Sequence, residues 1–145
     1  MTIKQPKPLL KLVLRLGGSV EILAFFAVVM PRAWMESAHE WLGLGVMPPL
    51  PVLDYMIRGA SFTFGLHGVL LWLLASCPGR FRSLVIFTGA SYFVAGPVFF
   101  AIVHSAGMPL WWTVTESLAH FLFGAAILIL EVATRPDRRH GGAVT

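Results

Sequence analysis

Charge is scarce in this chain. Only 12% of its 145 residues are Asp, Glu, Lys or Arg, against about a quarter in ordinary soluble domains. A soluble domain of this length has too much surface for its volume to keep 57% hydrophobic residues from water. The shortage therefore excludes a small water-soluble globule and leaves lipid as the solvent. Cysteine is nearly absent. The single Cys77 excludes an internal disulfide, and its place beside Pro78 and Gly79 reads as a structural residue in a turn. There is no Gly-rich phosphate loop, no GxSxG and no CxxC, so phosphoryl transfer and nucleophilic catalysis have no recognisable apparatus. The first apolar run ends in Val29-Met30-Pro31-Arg32 without a small-x-small cleavage site, and is read as a retained span rather than a signal peptide. No internal repeat or low-complexity stretch is present.

What the chain has is long apolar runs, with a mean hydropathy of +0.76. A helix crossing the hydrocarbon core needs about 20 residues. Four stretches qualify, at about 9–30, 52–76, 84–105 and 110–131. The fold class expected is all-α: one integral membrane domain, a four-helix bundle, with a tail over 132–145. Its orientation follows from the cations. Lys4, Lys7, Lys11, Arg15, Arg80, Arg82, Arg135, Arg138 and Arg139 fall on one side of an even number of spans, and only Arg32 and Arg58 on the other. Basic segments stay cytoplasmic, so the protein is expected in the bacterial inner membrane with both termini inside. The net charge of +4 and pI near 9.8 do not point to nucleic acid. The cations punctuate apolar runs instead of forming one continuous basic face.

The one substantial outer loop runs from Pro31 to Pro51. Within 32–42, Trp34, Ala38, Trp41 and Leu42 share one helical face, and Arg32, Glu36, His39 and Glu40 another. Pro31 suits a helix start and Gly43 a stop. This pattern predicts a short helix lying in the membrane interface. Its outward surface would comprise Trp34, His39 and Trp41, joined by Trp111 and Trp112 after the short 106–109 turn. Inside the third span, Gly96-Pro97 is expected to kink the helix.

Ionisable groups within spans are expensive and usually face the bundle interior. Glu21, Arg58, His67, His104, Glu116 and His120 qualify. Helix rise places Arg58 and Glu116 roughly 10 Å below the outer boundary, and Glu21 and His120 roughly 15 Å. Asp54 and Arg58 are four apart, as are Glu116 and His120. The expectation is a charge-compensated cluster of Glu21, Asp54, Arg58, Glu116 and His120, with Arg58 bridging helices. It is either a polar staple fixing helix register or a ligand pocket. His67 and His120 are potential axial ligands for a b-type haem, although helix rise separates them by roughly 8 Å in depth. His104 with His39, Glu36 and Glu40 matches no metal motif, so no metal site is assigned. Ser61, Gly65 and Gly68 share the Arg58 face and permit close helix approach.

Three segments carry a family resemblance: Pro31-Arg32-Ala33-Trp34-Met35, His39-Glu40-Trp41-Leu42-Gly43-Leu44-Gly45 and Gly107-Met108-Pro109-Leu110-Trp111-Trp112-Thr113. Through them the chain resembles a group of uncharacterised small bacterial four-helix integral membrane proteins, over most of residues 15–131. That likeness implies no activity. The layout, a long outer loop after the first span and a basic turn after the second, is also similar to DoxX-like proteins. This implies quinone-linked redox partners by architecture alone.

With small soluble parts and no catalytic signature, the sequence favours a non-enzymatic protein that acts by contact. It would be an accessory or assembly subunit of a larger membrane complex, or would self-associate. The alternatives are a small quinone- or haem-binding redox protein using the polar cluster, and a small-molecule carrier.

Overall fold

A computed structural model describes residues 7–134, so Lys4, Arg135, Arg138, Arg139 and the tail beyond 134 lie outside the described residues. The elements are α1 (Lys7–Ile22), α2 (Phe25–Val29), α3 (Arg32–Trp41), α4 (Pro51–Ser76), α5 (Arg82–Ser105) and α6 (Leu110–Ala133). No strand occurs among the described residues. Taking α1 and α2 as one run from Lys7 to Val29, four helices are long and apolar enough to cross a membrane. Their ends fall within two residues of the stretches expected from hydropathy.

The boundaries have local causes. Ala24 N–H donates to Glu21 O and Phe26 N–H to Leu23 O, so the chain tightens by one residue between α1 and α2. Met30 is extended ahead of Pro31, because the proline ring disfavours a helical predecessor. Pro51 opens α4 at a position that has no intrahelical donor to lose. α3 and α5 end alike. Gly43 (φ 75°) and Gly107 (φ 73°) take the left-handed conformation. The next residues, Leu44 and Met108, then donate back to His39 O and Val103 O. α5 continues as helix through Pro97.

The spans associate as two close pairs. α1 and α2 lie along α4, α5 lies along α6, and α1 touches α6, whereas α4 and α5 scarcely meet. Glycine permits the close approach. A Cβ on Gly68 would stand 2.6 Å from Gly18 O, and one on Gly124 would stand 2.2 Å from Phe93 N and 2.6 Å from Gly89 O. The buried apolar core occupies one half of the assembly: Leu10 and Leu14 from α1, Leu71, Leu74 and Ala75 from α4, Val85 from α5 and Ile127 from α6. Large apolar side chains such as Leu16, Leu23, Phe87 and Ile129 are exposed around the outside, as lipid contact requires. Polar side chains that the spans enclose, Glu21 and His67 among them, lie outside that cluster.

Candidate functional site

Three side chains from three helices meet at the seam between the two pairs. Glu21 of α1 receives a hydrogen bond at each carboxylate oxygen. His67 Nδ1 of α4 lies 2.7 Å from Oε2, and the Tyr92 hydroxyl of α5 donates to Oε1. The Tyr92 oxygen is also 3.2 Å from His67 Nδ1. A carboxylate has no proton to give, so Nδ1 of His67 carries the hydrogen and Nε2 is the ring nitrogen left for another partner. The Glu21 side chain is 16% exposed, which makes two donors on one carboxylate a substantial compensation for its desolvation.

A fourth residue extends the set. The His120 ring of α6 is held between Phe99 (centroids 4.7 Å apart) and Tyr92 (5.6 Å). Its Nδ1 lies 2.8 Å from the Glu116 carbonyl oxygen. That carbonyl can only accept, so His120 too keeps Nε2 for another partner. Phe123 meets the Tyr92 ring edge-on at 4.8 Å and fixes its plane.

Beside this set is a cavity of about 280 Å3 lined by Thr63, Phe64, His67, Ser91, Tyr92, Ala95, Phe99 and His120. A second cavity, about 200 Å3, continues along the seam on Leu70, Leu74, Phe87 and Thr88, and shares His67, Ser91 and Tyr92. Both exist because α4 and α5 scarcely touch. Tyr92 lies ten residues into α5 and His120 ten into α6, so each is about 15 Å from a helix end, near the middle of the span.

The structure separates the five-residue cluster expected from spacing. Arg58 bonds neither Asp54 nor Glu116. Its guanidinium caps the end of α2, donating to Val28 O at 2.5 Å and Met30 O at 3.0 Å. Asp54 is bound instead by Arg32 at 2.8 Å, which also holds Glu36 at 2.8 Å and Pro48 O at 3.0 Å. The hydrogen bond to Glu36 and the charge of Asp54 push the Arg32 guanidinium further above its already high value, which fixes it as a cation. Glu116 receives Trp112 Nε1–H, at 2.6 Å, within its own helix. Glu21 and His120 do share one site, joined by Tyr92 and by His67.

Arg58 also explains the depth assignment. Counted from Pro51, His67 seemed far deeper than Glu21. Arg58, though, is level with Met30. Glu21 lies nine residues from Met30, and His67 nine from Arg58, in antiparallel helices, so the two are level. The 31–51 loop leaves Pro51 about two turns beyond the end of α2. Tyr92 has no partner recognisable by spacing. Its one signal in sequence is a phenolic hydroxyl in the middle of a span, beside Ser91 and one turn from Thr88.

The remaining residues stand apart from this site. His39 Nδ1 approaches Gly45 O at 2.8 Å, and His104 stacks on Phe100 with centroids 5.9 Å apart. Among the described residues no three His, Cys, Asp or Glu side chains gather as a metal site would need. Trp34 and Trp41 are exposed on α3, and Trp111 is half exposed and tilted against Trp112.

No protein-family model, no curated protein and no solved structure matches this chain.

Proposed function

We propose that this is a polytopic protein of the bacterial inner membrane, built as a four-helix bundle, that binds the headgroup of a lipid-soluble quinone in the α4–α5 seam. The observation behind the reading is the meeting of Glu21, His67 and Tyr92 beside an aromatic-walled cavity at mid-span. A quinone is a flat apolar ring with an oxygen at each of two opposite edges. Phe64, Phe99 and Tyr92 supply apolar walls, and Thr63 and Ser91 add hydroxyls. His67 Nε2 serves either form of the ring. Neutral imidazole accepts from a quinol hydroxyl, and imidazolium donates to a quinone carbonyl, while Glu21 holds the far nitrogen in both cases. An isoprenoid tail would leave along the seam into lipid.

His67 and His120 both line this cavity, which keeps a bis-histidine haem as the alternative. The Tyr92 ring, with centroids 5.7 Å from His67 and 5.6 Å from His120, favours the quinone. So does the volume of about 280 Å3, which suits one six-membered ring better than a macrocycle. Lys7, Lys11, Arg80 and Arg82 at one end of the helices support cytoplasmic termini. The exposed Trp34 and Trp41 support an interfacial position for α3.

Protein purified from native membranes in mild detergent should yield a bound quinone on extraction and chromatography. Delipidated protein should bind a short-chain quinone saturably, about tenfold more weakly in His67→Gln, as loss of one hydrogen bond to a chargeable group implies. An extract without quinone, together with non-saturable binding, would sink the reading. A Soret band with separate α and β bands on reduction would replace quinone by haem.

A second reading, an accessory or assembly subunit, rests on Trp41, which is 85% exposed outside the spans. With Trp34 and His39 it would form a docking face. Native-size analysis tests it: a lone 15.9 kDa species from native membranes would count against it.

A further inference from the structure

All four spanning helices bring one end to a third, larger cavity of about 530 Å3, lined among others by Lys7 of α1, Ser76 of α4, Arg82 of α5 and Thr134 just past α6. Its character is opposite to that of the seam. Lys7, Lys11, Arg80 and Arg82 contribute four cations, and Glu131 the one carboxylate. Glu131 is already neutralised. It is 6% exposed and accepts from Arg82 Nε at 2.6 Å. Among the described residues no carboxylate lies within ion-pair distance of Lys7, Lys11 or Arg80. Three cations around one cavity repel each other unless an anion joins them. The wall between them is apolar: Leu10 lines it and belongs to the buried core behind it. α5 begins at Arg82, in the wall itself, so the positive end of its dipole lies at the same place.

We propose that this cavity binds a phosphate-bearing anion, supplied by the headgroup of an anionic phospholipid of the adjoining leaflet. The phosphodiester would sit among Lys7, Lys11 and Arg80, and the first acyl carbons against Leu10. A basic pocket between helix ends, at the level where they leave the hydrocarbon, is suited to such a headgroup. The cavity's apolar side distinguishes it from a site built for a free, fully hydrated ion. The inference rests on the membrane reading and is independent of the quinone.

The full-length protein in neutral detergent is titrated with dioctanoyl phosphatidylglycerol, dioctanoyl phosphatidylcholine and inorganic phosphate, following thermal unfolding by tryptophan fluorescence. Phosphatidylglycerol is expected to raise Tm saturably and the other two to leave it unchanged. Each cation is worth about fivefold near an anionic lipid, so Lys11→Gln with Arg80→Gln should weaken binding roughly 25-fold. The Lys11→Gln single variant, at about fivefold, serves if the pair fails to fold. Arg15 lies over the Trp72 ring at 5.5 Å, outside the cavity, so Arg15→Gln should bind as the wild type does. His67→Gln should also bind normally, whatever becomes of the quinone. Equal response to phosphatidylcholine, equal weakening by Arg15→Gln, or no weakening by the cavity variants would overturn the site. Inorganic phosphate binding as tightly as the lipid would overturn the lipid source.

Discussion

Removing one oxygen atom from Tyr92 tests the central site. In Tyr92→Phe the ring keeps its packing against His120 and Phe123, and what disappears is the donor to Glu21 with the longer contact to His67 Nδ1. In soluble proteins a hydrogen bond to a charged group contributes about 1.5–3 kcal/mol. Between membrane helices the average is about 0.6 and the maximum about 1.7 kcal/mol, because a chain unfolded within lipid also finds partners. The smaller scale applies here, since α1 and α5 are both apolar spans. Glu21 is well enclosed and has only two donors to satisfy it, so the upper part of that range, about 1–1.7 kcal/mol, is expected for the Glu21–Tyr92 coupling.

The measurement is a double-mutant cycle with Glu21→Leu, read by reversible unfolding in mixed micelles. Tyr92→Phe should destabilise the wild type. In the Glu21→Leu background it should cost much less, because the hydroxyl has lost its carboxylate acceptor and keeps only the longer contact with His67 Nδ1. The fall in the penalty separates a real bond from mere proximity. A Tyr92→Phe penalty equal in both backgrounds, within about 0.3 kcal/mol, would show that the two side chains do not interact, and the site would dissolve into separate residues.

Gly124→Ala should cost about 1–3 kcal/mol, since the new Cβ meets Phe93 and Gly89 backbone that cannot move aside, whereas Gly79→Ala, with nothing within 4 Å, should be neutral. Arg58→Leu strips two carbonyls of their cap, so amide exchange should quicken at residues 28–30 while Asp54 stays bound to Arg32; unchanged exchange there would refute the cap. Arg32 has its pKa raised in the folded state by Glu36 and Asp54, so its contribution is full below its unfolded value and is lost only as pH rises through a still higher one. Stability should therefore show no Arg32-linked loss between about pH 8 and 10, and a step there that vanishes in Arg32→Gln would contradict the pairing. Reporters fused after Gly45 and after Thr145 should lie in opposite compartments; finding both on one side would overturn the threading.

The spans were legible because length and apolarity alone decide them, and the stop at Gly43 because its neighbours leave no other role for a glycine. Spacing also found the face of α4 that carries Arg58, Gly65 and Gly68. Gly65 closes on Phe25 and Gly68 on Gly18, along the side that α1 and α2 cover. What spacing could not supply was register between helices. Depths counted from Pro31 and Pro51 assume that both prolines lie at one level, and the loop between them breaks that assumption. The error paired Arg58 with carboxylates that have nearer donors, Arg32 for Asp54 and Trp112 for Glu116. It also left His67 far from Glu21. Tyr92 was missed for a related reason: its partners lie 71 and 25 residues away, beyond any periodicity.

The same register explains why the polar site lies where it does. Each close pair is drawn together by glycine against backbone, Gly18 with Gly68 and Gly124 with Phe93, and at those positions no side chain fits between the helices. Glu21 and His67 are bonded across the α1–α4 pair itself, and where α4 and α5 scarcely meet they reach Tyr92 and His120 of the other pair. Lipid-buried polar groups draw helices together when they find partners. The cluster and the α1–α6 contact therefore join the two halves, and the cavities flanking Tyr92 are what remains because side-chain hydrogen bonds hold helices farther apart than glycine does. A site that both joins the halves and leaves space beside itself would respond to a ligand, since occupying the cavity adds contacts between α4 and α5, which otherwise scarcely meet.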